Sequence, residues 1–171
     1  CKNLESFSIP NSVTVISSRT FSGCISIESI GIHSHITKID DFAFENCIKI
    51  TEFVIPVSVI SIGTGIFRYC TNLTKATLPT SYTIIESETF YRCTSLSSFT
   101  LGPNINTIGE YSFAYCKSLT TFTIAETVTT LGSYFFYKCD KLSIFTFHNS
   151  VTITQTPSHF LCGCTYRNFF F

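Results

Sequence analysis

The stretch CIKITEFVIPVSVISIGTGIFRYC, residues 47–70, is one unit of a repeat that runs through most of the chain. A fixed period of about 20–50 residues indicates a supersecondary unit stacked on copies of itself. Because each unit can bury its apolar face only against its neighbours, the sequence predicts a solenoid. Cysteine recurs every 23 residues, at Cys1, Cys24, Cys47, Cys70, Cys93, Cys116, Cys139 and Cys162.

Within each unit the apolar residues are spaced as in a short strand. In this unit Phe53 and Ile55 are two residues apart, so both side chains point to one face. Pro56 ends that strand by removing a donor, and a second apolar pair marks a second short strand. Phe67 then precedes Cys70 by three residues, which is the spacing of a helical or 3-10 turn. We therefore predict strand, turn, strand and short helical turn in each coil.

The unit resembles the coil of the BspA-like (treponemal-type, 23-residue) leucine-rich repeats. That coil reads roughly Leu-x-x-Ile-x-Ile-Pro-x-x-Val-x-x-Ile-Gly-x-x-Ala-Phe-x-x-Cys. Residues 47–70 match it nearly position for position, and so do residues 93–116, except that Gly102 replaces the proline. The resemblance implies a right-handed leucine-rich-repeat solenoid of the α/β class, rich in β structure. We expect about seven coils with short parallel strands and short helical or 3-10 turns.

The ends of the chain bear on its domain organisation. We expect residues 1–171 to form a single solenoid domain from a longer protein, because the chain contains no methionine and begins on a repeat boundary. The pattern fails near the end, where Thr154 replaces the expected isoleucine and Pro157 interrupts the coil. Residues 154–171 are therefore predicted to form a degenerate terminal coil and a candidate cap. Phe169–Phe171 are expected to fold over it or to meet a second copy, which would give a homodimer.

The composition argues against two classes of partner. The chain has 11 basic and 11 acidic residues and a formal net charge of +0. It therefore offers no electrostatic reason to bind nucleic acid or an anionic membrane. A membrane-spanning helix needs about 18 or more consecutive apolar residues, and no such run occurs, so we predict no direct membrane insertion by this segment.

The periodic cysteines allow three interpretations: buried free thiols, a disulfide framework or a metal site. Equivalent residues of stacked coils point in parallel, whereas a disulfide needs Cβ atoms that converge to about 3.8 Å. We therefore predict buried thiols that act as small apolar fillers. Cys164 lies outside the period, so a bridge to Cys162 or to Cys139, or an exposed thiol, stays open for it.

No residue is predicted to serve catalysis, a metal or a cofactor. His33 and His35 would share a face of a strand, but no third ligand is suitably spaced. A nucleophilic cysteine needs an environment that singles it out, and near-identical copies argue against that. The resemblance carries over no catalytic residue either, so the chain is not predicted to be an enzyme.

Two surfaces are candidates for binding a partner. The outward positions of the first strands would form a continuous, flat and hydroxyl-rich platform. Tyrosines beside the Phe-to-Cys turns are the second candidate, because exposed tyrosines are favoured at interfaces. The alternatives are that threonine merely suits exposed strand positions and that the tyrosines pack against the next coil. The candidate residues are Glu52, Lys75, Thr77, Thr100, Thr123 and Thr146 on the platform and Tyr69, Tyr91, Tyr115 and Tyr137 beside the turns.

The function expected at this point comes from the resemblance. Proteins of the BspA-like type are mostly cell-surface or secreted adhesion proteins of bacteria and parasitic protists. This implies a non-catalytic, extracellular adhesion or recognition module that binds a protein or glycan ligand on host or neighbouring cells. The alternative is a structural spacer, whose repeats hold a distant head away from a membrane without a ligand of their own.

Overall fold

The computed structural model describes residues 1–148, 159, 162–164 and 168–170, and within them it has short β-strands and no helix. Every coil except the fifth contributes a first strand after its cysteine, and each of the first six coils contributes a second strand. The first strands are β1 (Ser6–Ser8), β3 (Ser29–Gly31), β5 (Glu52–Val54), β7 (Lys75–Thr77), β10 (Thr121–Ile124), β12 (Ile144–Phe147) and β13 (Asn168–Phe170). The second strands are β2 (Val15–Ile16), β4 (Lys38–Ile39), β6 (Ser61–Ile62), β8 (Ile84–Ile85), β9 (Thr107–Ile108) and β11 (Thr130–Leu131).

Strand pairing follows the repeat and confirms the predicted solenoid. All pairs are parallel, and partners in successive coils are 23 residues apart, as in Phe53 with Ala76 or Ile39 with Ile62. In the terminal pair the separation between partners is one residue longer, since Ile144 of β12 lies opposite Asn168 of β13. The chain thus stacks one coil on the next, and six full coils and the start of a seventh lie within the described residues.

The first strands do not form the continuous sheet that the sequence predicted. They pair as β1–β3, β5–β7 and β10–β12–β13, whereas the second strands pair as β2–β4–β6 and β8–β9–β11. Residues 97–100 of the fifth coil form no strand, so Thr100 lies in the gap between two sheets. The breaks on the two faces fall at different coils. Each junction between successive described coils therefore keeps at least one hydrogen-bonded ladder.

The segment before each cysteine is a series of tight turns, so the predicted helical turns are not found among the described residues. The N–H of Ser22 donates to the carbonyl of Arg19 at 3.0 Å, but the N–H of Phe21 donates across to Ala43 of the next coil at 2.9 Å. Two positions per coil have a positive φ, which interrupts a helix. These residues are Arg19, Phe42, Gly65, Glu88, Tyr111 and Tyr134 at the first position, and Gly23, Asn46, Tyr69, Arg92, Tyr115 and Lys138 at the second.

The core is a row of stacked side chains that runs along the solenoid. Phe44, Phe67 and Phe90 are fully buried, and their ring centroids lie 6.0 and 5.8 Å apart in order. The cysteines from Cys24 to Cys139 are buried beside them as free thiols, as predicted. Each coil therefore buries its apolar face against its neighbours, and this rigid stack sets the spacing of the exposed residues.

Candidate functional site

The four tyrosines predicted beside the turns form one continuous column. The ring centroids of Tyr69 and Tyr91 lie 5.6 Å apart, those of Tyr91 and Tyr115 5.5 Å, and those of Tyr115 and Tyr137 5.4 Å. All three contacts are edge-to-face, which is a favoured geometry for aromatic pairs. The column crosses four successive coils, and all four side chains are half-buried, so one part of each ring meets solvent.

Two further tyrosines, which the sequence analysis missed, face this column. Tyr111 and Tyr134 stack on each other with centroids 5.0 Å apart and planes within 3°. Tyr134 also meets Tyr137 edge-to-face at 5.7 Å. Between the two rows lies a cleft of about 390 Å³, which we call the tyrosine cleft. It is lined by Arg68, Glu88, Tyr91, Tyr111, Tyr115, Tyr134 and Tyr137.

Four of these tyrosines adopt a backbone conformation that side chains seldom take. Tyr69, Tyr111, Tyr115 and Tyr134 have φ values of 60°, 53°, 61° and 57°, in the left-handed region. At the first left-handed position of the turn the third coil has Gly65, and at the second left-handed position the first coil has Gly23. A residue held in this region costs about 1–3 kcal/mol. The same two positions are left-handed in each of the six full coils, whichever residue occupies them, so the turn of the repeat sets this conformation and brings the tyrosines to one face.

An ion pair forms one end of the tyrosine cleft. The Nε of Arg68 lies 3.0 Å from Oε2 of Glu88, and both side chains are about one-third exposed or less. The guanidinium also lies over the ring of Tyr91, 5.3 Å from its centroid, and over that of Tyr69 at 5.1 Å. Glu45 approaches the same arginine at 3.7 Å from outside the cleft. Arg68 is thus fixed between two carboxylates and two rings.

Two more cations lie against the tyrosine column without lining the cleft. The guanidinium of Arg92 lies 4.7 Å from the ring centroid of Tyr115, and Nζ of Lys138 lies 5.4 Å from that of Tyr137. A hydrogen bond to Tyr91 raises the pKa of Arg92. Neither cation has a carboxylate within ion-pair distance in the described part of the chain. The surroundings of the cleft are therefore more basic than acidic.

The predicted threonine platform is present in part. Glu52 and Lys75 lie opposite each other in the β5–β7 pair, and Thr77 ends the same ladder. Thr123 and Thr146 share a hydrogen bond between their hydroxyls at 2.9 Å. A groove of about 540 Å³ opens beside the unpaired fifth coil and contains Lys75, Thr77 and Thr100. The structure thus places these side chains on one face, but it splits the platform where the ladder is missing.

Comparison with known proteins settles the family. Residues 1–120 and 61–170 match the model of the BspA type leucine rich repeat region, in six copies. The chain belongs to this family. None of the curated proteins matches it.

Solved structures of other leucine-rich repeat proteins share the fold. A protein from Eubacterium ventriosum aligns with a TM-score of 0.83 at 25% identity, over 96% of this chain and 44% of that one. A protein from Bacteroides ovatus aligns with a TM-score of 0.73 at 25% identity, over 88% of this chain and 44% of that one. The leucine-rich repeat protein of T. pallidum aligns with a TM-score of 0.64 at 23% identity, over 83% and 58%. This BspA-type chain spans less than half the length of the first two.

In the last coil of this BspA-type chain, the cysteine that joins the thiol column is not the one that keeps the 23-residue period. All nine thiols are free. Cys162, which continues the period, is exposed, whereas Cys164 is half-buried and donates to the carbonyl of Phe136 at 3.0 Å. A hydrogen bond with Cys139 lowers the pKa of Cys164. Cys164 therefore takes the place in the thiol column that the sequence assigned to Cys162.

Neither a metal cluster nor a membrane-spanning helix occurs within the described ranges. The rings of His33 and His35 lie 5.5 Å apart, but no group of three or more His, Cys, Asp or Glu side chains there could hold a metal ion. Among the same residues, no helix has the length and apolar character needed to cross a membrane.

Proposed function

We propose that the chain is a non-catalytic recognition module of a cell-surface or secreted adhesin, and that the tyrosine cleft is its binding site. One observation carries this proposal: tyrosines from three successive coils converge with Arg68 and Glu88 on a single half-exposed face. Tyrosine and arginine are the residue types that contribute most to binding at protein interfaces. The partner would be a protein or glycan ligand on host or neighbouring cells.

The tyrosine cleft is favoured over the larger groove beside the fifth coil. That groove is lined mainly by serine, threonine and small apolar residues, which suit exposed strand positions without any ligand. The tyrosine cleft is instead lined by five tyrosines and an arginine, which are residue types enriched at binding interfaces. The rigid stack beneath them also holds the rings in place, so little conformational entropy is lost when a ligand binds.

The experiment compares binding of fluorescently labelled chain to candidate host cells and to neighbouring bacteria. The double variant Tyr115→Ser and Tyr137→Ser removes the middle of the cleft, and the triple variant of Thr77, Thr100 and Thr123 to lysine alters the platform. We expect saturable binding that is lost in the tyrosine variant and kept in the threonine variant. The reverse pattern would move the site to the platform. Circular dichroism confirms that both variants fold.

The second candidate is a structural spacer. It is favoured by the short span of the chain, which covers 44% of two related proteins and leaves room for a ligand site elsewhere. A spacer predicts that neither set of substitutions changes cell binding. It also predicts that the isolated chain binds no cell above the level of a denatured control.

A further inference from the structure

We propose that the tyrosine cleft binds a glycan, with sugar hydroxyls held by the phenol groups and by the Arg68–Glu88 pair. This inference rests on the proposed function, because it names the ligand class of the same site.

The walls match the mixed surface of a sugar, which carries hydroxyls with C–H groups between them. Tyr111 and Tyr134 are parallel within 3° and stack on each other, and His159 stacks on Tyr134 at 5.3 Å. A ligand therefore meets the edges and hydroxyls of these rings rather than free faces, and Tyr115 and Tyr137 line the same cleft. A phenol combines an apolar ring with a hydroxyl that donates and accepts, so it suits a ligand with both kinds of surface.

The volume and lining of the cleft fit a short stretch of sugar rather than the apolar face of a helix. Its volume of about 390 Å³ lies within the range of small-molecule sites, about 300–1,000 Å³. An amphipathic helix lays its apolar face into a hydrophobic groove, whereas here the tyrosines share the lining with a charged pair. None of the seven residues that line the tyrosine cleft is aliphatic.

The polar pair can hold neighbouring hydroxyls. The carboxylate of Glu88 accepts hydrogen bonds and the guanidinium of Arg68 donates them, so together they match a diol, which does both. Nε of Arg68 and Oε2 of Glu88 are 3.0 Å apart and both atoms are buried, so they hold the two side chains against each other and no sugar hydroxyl reaches them. The two side chains are still 27% and 30% exposed, so the other guanidinium nitrogens and the other carboxylate oxygen are the atoms that can hold a diol.

The charges disfavour an organic cation, which is the other ligand class that aromatic sites bind. Arg68, Arg92 and Lys138 already lie over the tyrosine rings. Glu88, the carboxylate that lines the cleft, is paired with Arg68. A cationic ligand would be repelled by Arg92 and Lys138, which have no carboxylate within ion-pair distance in the described part of the chain, whereas a neutral or acidic sugar would not.

The test applies the full chain to a glycan microarray of neutral, sialylated and sulfated oligosaccharides. The variants are Glu88→Gln, which keeps the shape of the side chain and removes its charge, and Tyr115→Phe, which keeps the ring. Glu45→Gln is the matched control, because Glu45 also pairs with Arg68 but does not line the cleft. We expect the wild type and the control to bind a common set of glycans. Glu88→Gln should weaken that binding at least about tenfold, and Tyr115→Phe should weaken it less.

Cell binding separates a failure of this inference from a failure of the proposed function. One outcome overturns the inference alone: the Tyr115→Ser, Tyr137→Ser variant loses cell binding, but no glycan on the array binds the wild type. If treatment of the cells with protease, and not with glycosidase, then removes binding, the ligand is a protein. If glycans bind but Glu88→Gln and Glu45→Gln behave alike, the assignment of the Arg68–Glu88 pair is overturned. If neither cells nor glycans bind, both proposals fall. The neutral and acidic arms of the array distinguish the two glycan types.

Discussion

The thiol of Cys93 donates a hydrogen bond to the carbonyl oxygen of Phe67, with Sγ 3.1 Å from the oxygen. The same carbonyl accepts the N–H of Cys70 at 3.0 Å, so it bonds within its own coil and to the next coil. This arrangement repeats along the solenoid with a separation of 26 residues. The other pairs are Cys47 with Phe21, Cys70 with Phe44, Cys116 with Phe90 and Cys139 with Phe113.

Replacing one thiol of this column should destabilise the fold. Cys93→Ala removes the bond to Phe67 and leaves a small cavity at a site that is 0% exposed. We expect a loss of about 1–2 kcal/mol in the free energy of unfolding, measured by urea denaturation. Cys1→Ala is the control, because Cys1 is exposed and should change stability by less than about 0.5 kcal/mol. Equal effects of the two substitutions would contradict the role of the column.

Stability should fall at alkaline pH. Burial raises the pKa of Cys47 to about 12 and that of Cys70 well above its ordinary value. An unfolded thiol ionises near pH 8.5, so stability is constant below that pH and decreases above it, by up to about 1.4 kcal/mol per pH unit for each buried thiol. Urea denaturation from neutral pH to about pH 10 measures the slope. Cys47→Ala should have a shallower slope than the wild type, and an unchanged slope would refute the linkage.

Glycine is required where coils approach most closely. A Cβ added at Gly132 would lie 2.3 Å from the backbone nitrogen of Glu110, whereas one added at Gly31 would have nothing within 4 Å. Gly132→Ala must push two coils apart, so we expect a loss of about 1–3 kcal/mol. Gly31→Ala should stay within about 0.5 kcal/mol of the wild type. Differential scanning calorimetry of the pair checks this, and similar melting temperatures would show that the coils can separate freely.

The terminal strand should stabilise the last coil. The backbone of Asn168–Phe170 pairs with β12, so it occupies the first-strand position of the next coil. These three residues belong to the predicted cap, residues 154–171, whereas Phe171 and residues 149–158 lie outside the described residues. Deleting residues 165–171 exposes the edge of β12 and should lower the melting temperature. If these residues also join two copies, analytical ultracentrifugation should show that the deletion abolishes the dimer. An unchanged melting temperature would refute the stabilising role.

The repeat period predicted the register of the coils but not the breaks in their ladders. Gly63 and Gly109 each donate an N–H to the preceding coil, at 2.8 and 2.7 Å. Glu86 stands at the equivalent position and makes no such bond, and strands β6 and β8 do not pair there. A groove of about 350 Å³ opens at this point. Asp40, which is not a glycine either, keeps the equivalent bond to Ile16 at 2.8 Å, so the break is particular to the third and fourth coils. A period averaged over the chain does not show it.

The position of the last thiol could not be predicted for a related reason. Cys162 keeps the period, but Cys164 donates to Phe136, 28 residues earlier instead of 26. Two additional residues in that coil therefore shift the column. Because both cysteines fit a plausible spacing, only the folded coil shows which thiol reaches the carbonyl.

The tyrosine cleft was half predicted. Tyr69, Tyr91, Tyr115 and Tyr137 were found from their places beside the cysteines, and the structure brings them together. Tyr111 and Tyr134 were missed because they lie early in the turn segment, each five residues before the next cysteine. Two left-handed residues per turn fold this segment back toward the column, and sequence spacing alone does not indicate such a conformation.

Intrinsic tyrosine fluorescence offers the most direct test that the tyrosine cleft binds a ligand. The chain has no tryptophan and eight tyrosines, of which Tyr69, Tyr91, Tyr111, Tyr115, Tyr134 and Tyr137 belong to the column or the cleft. Titration with a panel of neutral, sialylated and sulfated oligosaccharides should give a saturable change in emission with at least one of them. Tyr82→Phe, on the second-strand face, should keep that change, and Tyr137→Phe should reduce it. Emission that stays constant across the whole panel would contradict glycan binding in the cleft.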